Sequence, residues 1–254
     1  MGSSTISLGL GLGGGKSATS SGSPTGGGAF TNQYSVSLDG TDDYVDCTNS
    51  TDFNALATAF TFSMWLKPSA LSGYPMLIAK QTGNTGADTW QLYVDSSTSK
   101  PTITVNRVGF PSSTVALSTG SWQHFAVSWQ SGTGAVAFYT QGNPSGTGTC
   151  STTMTTNTLP LCIGTKPRLS NFFNGLIDEV GIFSSVLSAS QIVNIYNGGV
   201  PNDISSLNPV AWWRMGDGTE AGSGTTVFDM SANSNNGTLT NIASPNGFVT
   251  DVPS

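Results

Sequence analysis

The chain has 254 residues, 37% of them hydrophobic, and this size allows one large β domain or two small ones. Only 9% of the residues are charged, and 8 Lys and Arg stand against 14 Asp and Glu for a formal net charge of −6. The lack of a basic cluster excludes the usual electrostatic basis for binding nucleic acid, and no apolar run approaches the roughly 20 residues that would span a bilayer.

Residues 1–30 form a tract of Gly, Ser and Thr with too little apolar surface to offset the entropy cost of ordering it. We expect this tract to be an arm that is ordered only against other chains. The run Gly9–Gly14 matches a GxGxxG pattern, but no helix follows whose N-terminus would hold a phosphate, so nucleotide binding is not expected. The segment also lacks the charged and apolar regions of a secretory signal peptide.

From Tyr34 onward the chain alternates apolar and polar residues, with turn residues about every 8–12 positions, as is typical of a β-sandwich. Phe60, Phe62, Met64 and Leu66 share one face of their segment, which is therefore predicted to face the core. The 32 glycines and the shortage of helix formers favour the same all-β class. We predict strands in the segments YSVSLDG, DYVDC, FTFSMWLKP, PMLIAKQ, TWQLYVDSS, PTITVNR, STVAL, SWQHFAVSWQ, GAVAFYTQG, LPLCIGTK and GLIDEVGIF.

One helix is predicted after the last of these strands, in LSASQIVNIYNGG. Ser188 is the expected N-cap, Gln191 completes a capping box, and the glycine pair that follows ends the helix. Residues 200–254 are assigned to the same domain, as a strand–loop–strand tail that completes the sandwich. In this tail Ala211–Met215 is predicted to be a strand, with one of its two tryptophans buried and the other exposed or at an interface.

The three cysteines, Cys47, Cys150 and Cys162, are odd in number and lack CxxC spacing. This pattern argues against a zinc site and against a complete disulfide framework. Cys150 and Cys162 flank a predicted hairpin, so a disulfide between them stays open, but buried free thiols are favoured.

Groups suited to catalysis are scarce. The only histidine, His124, lies in the middle of a predicted strand, where a structural role is favoured, and no GxSxG motif is present. A retaining glycosidase needs two carboxyls about 5–5.5 Å apart. Asp178 and Glu179 are consecutive and are therefore expected to point to opposite faces of their strand. We predict that the protein is not an enzyme.

Four segments occur in an order that resembles the laminin-G-like (concanavalin A-like lectin/glucanase) jelly-roll, and the resemblance covers about residues 34–200. They are YSVSLDGTDDYVDC, FTFSMWLKP, SWQHFAVSWQSGTGAVAFYTQG and FFNGLIDEVGIFSSVLSASQIVNIYNGG. The resemblance implies an all-β, two-sheet antiparallel jelly-roll sandwich with a concave face and one short helix, spanning residues 31–254 after the arm. It also favours binding or structure over hydrolysis, because the acid-bearing strand of the hydrolytic members is missing.

Acidic residues cluster in the loop at 39–43, and carboxylates around a glycine are suitable calcium ligands, with a plain polar turn as the alternative. Many members of the family that this chain resembles hold calcium at the rim of the sandwich. By that resemblance Asp39, Asp42 and Asp178 are the matching positions, and we expect them to converge at one end of the sandwich around Ca²⁺.

The Gly/Ser-rich arm, the sandwich and the WWRMGDG tail are together similar in style to structural proteins of marine bacteriophages. This similarity implies a non-enzymatic virion surface protein, as a head decoration, fibre or tail component, that contacts other virion proteins or copies of itself through the arm and contributes to adhesion to host glycan. One alternative is a soluble calcium-dependent lectin in which Trp65, Tyr74 and Trp90 stack on sugar rings, although burial of the two tryptophans in the sandwich is favoured. The other alternative is that the protein is a glycoside hydrolase.

Overall fold

The computed structural model describes residues 30–80, 89–167, 170–242 and 247–254. The predicted arm, apart from its last residue, Phe30, lies outside these residues. The elements in chain order are β1 (Ser35–Asp39), β2 (Tyr44–Asp46), β3 (Ala59–Ala70), β4 (Met76–Ala79), β5 (Trp90–Asp95), β6 (Lys100–Val105), β7 (Gln123–Gln130), β8 (Ala135–Thr140), β9 (Asn143–Thr149), β10 (Cys162–Ile163), β11 (Asn174–Phe183), α1 (Ala189–Tyr196), β12 (Ala211–Trp213), β13 (Thr226–Val227), β14 (Gly237–Thr240) and β15 (Phe248–Val249). Short 3-10 helices span Thr51–Ala57, Asn197–Gly199 and Ser205–Leu207.

Two antiparallel sheets face each other, which confirms the predicted all-β sandwich. The first sheet has eight strands in the order β15-β1-β11-β3-β7-β8-β9, with β12 also paired to β11. The second sheet has seven strands in the order β13-β14-β2-β10-β4-β5-β6. Neighbours in each sheet are often far apart in sequence, as expected when a chain crosses repeatedly between two sheets.

Aromatic rings from both sheets meet in the core between them. The predicted core face of β3 is confirmed, because Phe60, Phe62, Met64 and Leu66 are all fully buried. Phe62 packs against Trp90 of the second sheet with ring centroids 4.5 Å apart. Contacts of this kind explain why a chain with so few charges can hold a stable fold, since each buried aromatic removes a large apolar area from water.

The outer face of the first sheet is also covered, by helix α1 and the segments around it. Ala126 and Phe183 of the sheet form a second apolar cluster with Ile192 and Ile195 of the helix and with Trp212. This cover explains why the face of β3 opposite the core, with Thr61, Ser63 and Trp65, is buried as well.

Helix α1 begins as predicted. The Ser188 side chain accepts a hydrogen bond from the Gln191 N–H, and the Gln191 side chain accepts one from the Ser188 N–H, which completes the capping box. The helix ends at Asn197 in a left-handed conformation, one residue before the expected glycine. No helix within the described ranges is long and apolar enough to cross a membrane.

The tail residues pair with both sheets. β12 is antiparallel to β11, β14 is antiparallel to β2, and β15 is antiparallel to β1. The expectation that one tail tryptophan would be exposed is wrong, since Trp212 is 4% and Trp213 0% exposed. They do point to opposite faces, but each face is covered: Trp213 lies in the core and Trp212 in the outer cluster.

Three strand predictions differ from the structure, the first being the tail, which holds the four short strands β12 to β15 where two were predicted. STVAL (113–117) is not a strand, because its N–H groups form no regular ladder: that of Ser113 donates to the Pro101 carbonyl and that of Leu117 to the Ser99 carbonyl. β9 was not predicted, since its sequence NPSGTGT lacks apolar alternation. Glycine is needed there: a Cβ on Gly148 would lie 2.3 Å from Pro111.

Candidate functional site

A cleft of about 260 Å³ opens on the outer face of the second sheet. Its floor comes from β5, where buried Leu92 and Val94 alternate with half-buried Gln91 and Tyr93. Because alternate strand residues point to opposite faces, burial of the former pair in the core directs the latter pair outward. The lining residues are Tyr74, Met76, Gln91, Tyr93, Arg107, Phe110, Lys166 and Asn171.

Aromatic side chains form the apolar part of this cleft. Tyr74 is 47% exposed, and its ring centroid lies 6.3 Å from that of Tyr93 at an interplanar angle of 55°. Phe110, on the connection between β6 and β7, is 54% exposed. Burial, followed by the nearby charge of Asp95, raises the pKa of Tyr93. The Tyr93 hydroxyl therefore stays protonated at neutral pH and is able to donate a hydrogen bond.

The segment between β10 and β11 forms one wall. The Asn171 side chain donates to the Gly73 carbonyl at 2.6 Å, and the Asn171 carbonyl accepts from the Met76 N–H at 2.8 Å. These two bonds fix the wall against the start of β4, next to Tyr74. Lys166 reaches the cleft from the same segment.

Arg107 reaches the cleft from a tight turn after β6. Asn106 and Arg107 both have positive φ, 49° and 58°, and the Val108 N–H donates to the Val105 carbonyl at 2.9 Å. This is the geometry of a two-residue hairpin loop with left-handed central residues. The Asn106 side chain anchors the turn by donating to the Thr153 carbonyl at 2.9 Å.

These groups suit the recognition of a sugar. Exposed aromatic faces pack against the apolar face of a pyranose ring, while amide, hydroxyl and cationic groups hydrogen-bond to its hydroxyls. Tyr74 and Arg107 both have a φ of 58°, a left-handed backbone conformation that non-glycine residues adopt only at a cost in conformational energy. Such residues concentrate at functional sites.

Of the three aromatic residues considered for glycan contact, only Tyr74 lines this cleft. Trp90 is fully buried in the core against Phe62, and Trp65 is 2% exposed beneath Tyr196, with ring centroids 5.8 Å apart. Those two residues are therefore corrected to core positions. Trp90 points into the core from β5, whereas Trp65 lies on the outer face of β3, which is covered by α1.

Sequence reasoning missed several cleft residues: Tyr93, Arg107, Phe110 and Lys166. Tyr93 was recoverable from the alternation in WQLYVD. Arg107 and Lys166 were not, because their positions depend on how two connections fold back over the sheet.

The acidic loop between β1 and β2 brings three carboxylates together. Ligand oxygens of Asp39, Asp42 and Asp43 lie within 4.8 Å of one another. Asp39 accepts from the Thr41 N–H at 2.7 Å, and this bond lowers its pKa. Burial raises the pKa of Asp43, and the charges of Asp39 and Asp42 add to that effect. The set offers the hard oxygen ligands that calcium prefers.

Asp178 does not join this loop, so the expected convergence of Asp39, Asp42 and Asp178 is wrong. Asp39 pairs with Asn174, four residues before Asp178 on β11, which corresponds to roughly 13 Å along the strand. Asp178 is instead completely buried. Asp43 takes the third position in the acidic cluster.

Asp178 and Glu179 belong to an anchor cluster that also contains Arg214 and Asp217. The expectation that the two consecutive acids face opposite ways is wrong, because Glu179 has a φ of 46° at an irregularity in the pairing of β11 with β3. Asp178 accepts from the Asn32 side chain at 2.9 Å, while Glu179 accepts from Arg214 Nε at 2.9 Å and Trp212 Nε1 at 2.6 Å. Trp212, Asp178 and Glu179 thus share the outer side of the first sheet.

The anchor cluster holds the leading segment, residues 30–34. The N–H groups of Gln33 and Tyr34 donate to Asp217, Arg214 donates to the Thr31 carbonyl, and the Arg214 guanidinium lies 4.1 Å from the ring centroid of Phe30. Burial raises the pKa of Glu179 to about 7, although Arg214 opposes the shift, and burial together with the charge of Glu179 raises the pKa of Asp178 well above its ordinary value.

His124 is also buried and serves structure. Its Nε2 lies 2.8 Å from Ser63 Oγ, and its ring packs against Trp65 and Tyr196. Burial lowers the pKa of His124 to about 3, so the ring is neutral at physiological pH. The three cysteines are free and buried, as favoured from the sequence, and burial raises the pKa of Cys150 to about 11 and of Cys162 to about 12.

Residues 39–193 match a family model described as the concanavalin A-like lectin/glucanases superfamily. The chain is 28% identical over 168 residues to adhesion G-protein coupled receptor V1 of Danio rerio, a match that covers 61% of this chain and 3% of the receptor.

Solved structures show the same fold. A putative carbohydrate binding protein from Bacteroides ovatus superposes with a TM-score of 0.67 at 16% identity, over 88% of this chain and 62% of that one. The CBM40 of Ruminococcus gnavus IT-sialidase, bound to alpha2,3 sialyllactose, superposes with a TM-score of 0.51 at 11% identity, over 64% of this chain and 95% of that one.

Proposed function

Because the chain belongs to the concanavalin A-like lectin/glucanases superfamily, we propose that it is a non-enzymatic adhesion domain that binds carbohydrate in the Tyr74 cleft. The observation that carries this proposal is the open pair of Tyr74 and Tyr93, faced by Phe110 and surrounded by side chains that donate hydrogen bonds. Names of the similar proteins, which include a carbohydrate-binding module, a putative carbohydrate-binding protein and an adhesion receptor, support the same class.

The buried positions of the acidic pair support binding over hydrolysis. Asp178 is 0% and Glu179 6% exposed, and both already hold protein groups. A glycosidase carboxyl must reach the glycosidic oxygen or the anomeric carbon. His124, also fully buried, offers no substitute as an acid or base.

A glycan array followed by titration of the best ligand tests the proposal. Tyr74→Ala removes a ring that is largely outside the core, so we expect it to weaken binding at least tenfold while the protein stays folded. Tyr74→Phe retains the ring and should bind within a few-fold of the original. Val193→Ala, at an exposed position on helix α1, is the matched control and should bind normally. An array without any ligand, or binding that survives Tyr74→Ala, would contradict the proposal.

For the acidic loop we propose a calcium ion held by Asp39, Asp42 and Asp43. Calcium bound there would neutralise repulsion among carboxylates and stiffen the β1–β2 connection. The loop is linked to one wall of the cleft, because the Asn174 side chain donates to the Asp39 carbonyl at 2.9 Å at the end of the segment that carries Lys166 and Asn171.

Thermal melting tests the calcium proposal, since a ligand that binds only the folded state raises its stability. We expect the melting temperature to rise with added calcium and to fall with chelator, and Asp42→Asn to remove most of that difference. A melting temperature that does not respond to calcium or chelator would exclude the site.

We also propose that this adhesion domain sits on a virion surface, attached through residues 1–30. In support, the leading segment that continues from this tract is bonded firmly to the anchor cluster, so a pull on the arm would be carried by the folded domain. Electron microscopy of the assembled particle tests this: density for the domain on the outside, lost on deletion of the arm, is expected. A domain that never associates with particles would refute it.

A further inference from the structure

The anchor cluster places three carboxyls around one guanidinium, next to the leading segment. Arg214 Nε lies 2.9 Å from a Glu179 oxygen, and Arg214 Nη2 lies 3.9 Å from an Asp217 oxygen. Asp178, the third acid, accepts from the Glu179 N–H at 2.8 Å. Asp203, which also lies near the guanidinium, is exposed to solvent. If all three carboxyls of the cluster were ionised, one positive charge would face three negative charges away from water.

The leading segment contributes to the burial of two of these acids. The Asn32 side chain donates to Asp178 at 2.9 Å. Phe30 stacks on Trp212 with ring centroids 6.3 Å apart and an interplanar angle of 7°, and Trp212 Nε1 donates to Glu179. Asp178 and Glu179 are both buried with the segment in this position. Removal of the segment would therefore let water reach their carboxyls.

Water around a carboxyl stabilises its ionised form, so protonation and the position of the segment are linked. Burial, and then the charge of Glu179, raises the pKa of Asp178, while burial raises the pKa of Glu179 to about 7. With the segment away, both pKa values would return towards their ordinary range. A group whose pKa is higher with the segment in place favours that state at low pH, and its contribution is lost as the pH rises through the raised pKa.

The contact between Asn32 and Asp178 lacks a donor that a proton would supply. Asn32 Oδ1 is buried and has no hydrogen-bond partner among the residues that the structure describes. An ionised Asp178 has only acceptors to offer, whereas the carboxylic acid also has an O–H donor. A buried acceptor without a partner costs free energy, so this contact favours the protonated acid.

We propose that the leading segment is a pH-controlled strap, which lies on the anchor cluster while Asp178 and Glu179 retain a proton and detaches as that proton passes to solvent at higher pH. The sandwich itself would stay folded, because β1 begins only at Ser35 and is paired to β11. Detachment of residues 30–34 would lengthen the link between the arm and the sandwich by roughly 17 Å when extended. The inference does not depend on what the arm attaches to.

A fluorine label on the strap tests the inference in the full chain. With 4-fluorophenylalanine at position 30, the fluorine resonance distinguishes a ring stacked on Trp212 from a ring in water, and the same protein in urea gives the reference for the free ring. We expect the ratio of detached to attached strap to rise about tenfold or more between pH 6 and pH 9. Near-ultraviolet circular dichroism should stay unchanged over this range, which shows that the sandwich remains packed.

Two variants identify the groups that release the proton. Asp178→Asn cannot ionise, and its amide supplies an N–H donor in place of the O–H of the protonated acid. Glu179→Gln likewise stays neutral. Each variant is expected to remove most of the change with pH and to keep the strap attached at pH 9. Asp95→Asn removes an acid in the β5–β6 turn and should leave the pH response as it is in the original protein.

Three results would overturn the inference. The first is a fluorine signal that stays at the attached position up to pH 9 in the original protein. The second is a pH response that persists in both Asp178→Asn and Glu179→Gln, and if one of these variants does not fold, the other decides. The third is loss of the near-ultraviolet signal together with the fluorine shift, since the whole domain would then open and the strap would not act alone.

Discussion

The two outer faces of the sandwich carry similar groups of side chains in different settings. On the first sheet, Arg214 and Trp212 lie against the ring of Phe30, and the protein's own leading segment is hydrogen-bonded to the anchor cluster. On the second sheet, Tyr74, Tyr93 and Arg107 line a cleft that stays open to solvent. The comparison separates contacts that hold the chain in place from side chains that line an open cleft, where we propose that carbohydrate binds.

Removal of the tail, residues 200–254, should have the largest effect on stability. A chain that ends at Gly199 loses β12 to β15, which removes one pairing neighbour from each of β1, β2 and β11 and takes Trp213 from the core. Trp→Ala alone costs about 3–5 kcal/mol in a core, against a total stability of about 5–15 kcal/mol. We expect the truncated protein to be insoluble or unfolded by circular dichroism. A melting temperature equal to that of the full chain would show that the tail is a separate appendage.

Arg214→Met should have the next largest effect, because it leaves Glu179 buried without its cation. Removal of one partner from a buried ion pair costs about 3–5 kcal/mol. Lys67→Met is the matched control: it breaks an ion pair with Asp251 whose side chains are 27% and 46% exposed, and should cost about 0–1 kcal/mol. Urea denaturation measures both. Equal losses would mean that the anchor cluster contributes no more than a surface pair.

The anchor cluster should also make stability depend on pH. Since the pKa of Glu179 is raised from 4.5 to about 7 in the fold, the stability from its protonated form is full below about pH 4.5 and is lost as the pH rises through 7. His124 has the opposite effect, because its pKa falls from 6.5 to about 3 on folding and acid therefore favours the unfolded chain.

Comparison with Glu179→Gln isolates the first effect. Between pH 5 and pH 8 the original protein should lose about 1–3 kcal/mol relative to this variant, since only the original has the Glu179 carboxyl to ionise there. Chemical denaturation at both pH values gives the difference. If the difference between the two proteins does not change with pH, the Glu179 carboxyl titrates normally.

The smallest effect on stability is expected in the open cleft. Tyr74→Ala should change the free energy of unfolding by less than about 0.5 kcal/mol, because nearly half of the side chain is already in water. Trp212→Ala, at 4% exposure, should cost about 3–5 kcal/mol. Similar losses for the two would show that the cleft aromatics support the fold and are not held available for a ligand.

The sandwich was predictable because alternation and capping are local signals. The core face of β3 and the capping box at Ser188 follow directly from residue spacing. Cover on the outer face was not predictable in the same way, which is why Trp212 is more buried than expected. The outer face of the first sheet is buried because α1 and the tail, which lie far along the chain from β3, pack against it.

The candidate site was less predictable, because its geometry depends on single residues with a left-handed backbone conformation. Glu179 turns to the same side as Asp178 through a left-handed conformation that strand alternation does not anticipate. Asp178 was placed by resemblance at the acidic loop, yet four strand positions separate it from the level of Asp39. Arg107 enters the cleft from a turn that sequence patterns assign to glycine.

Nuclear magnetic resonance of protein labelled at its tyrosine rings tests most directly whether the open cleft is the binding site. The chain has 6 tyrosines, at positions 34, 44, 74, 93, 139 and 196. On titration with the oligosaccharide that binds most tightly on the array, the ring signals of Tyr74 and Tyr93 are predicted to shift, with those of the other four unchanged. If only the signals of the other tyrosines shift, and those of Tyr74 and Tyr93 do not, the proposal that this cleft binds carbohydrate is contradicted.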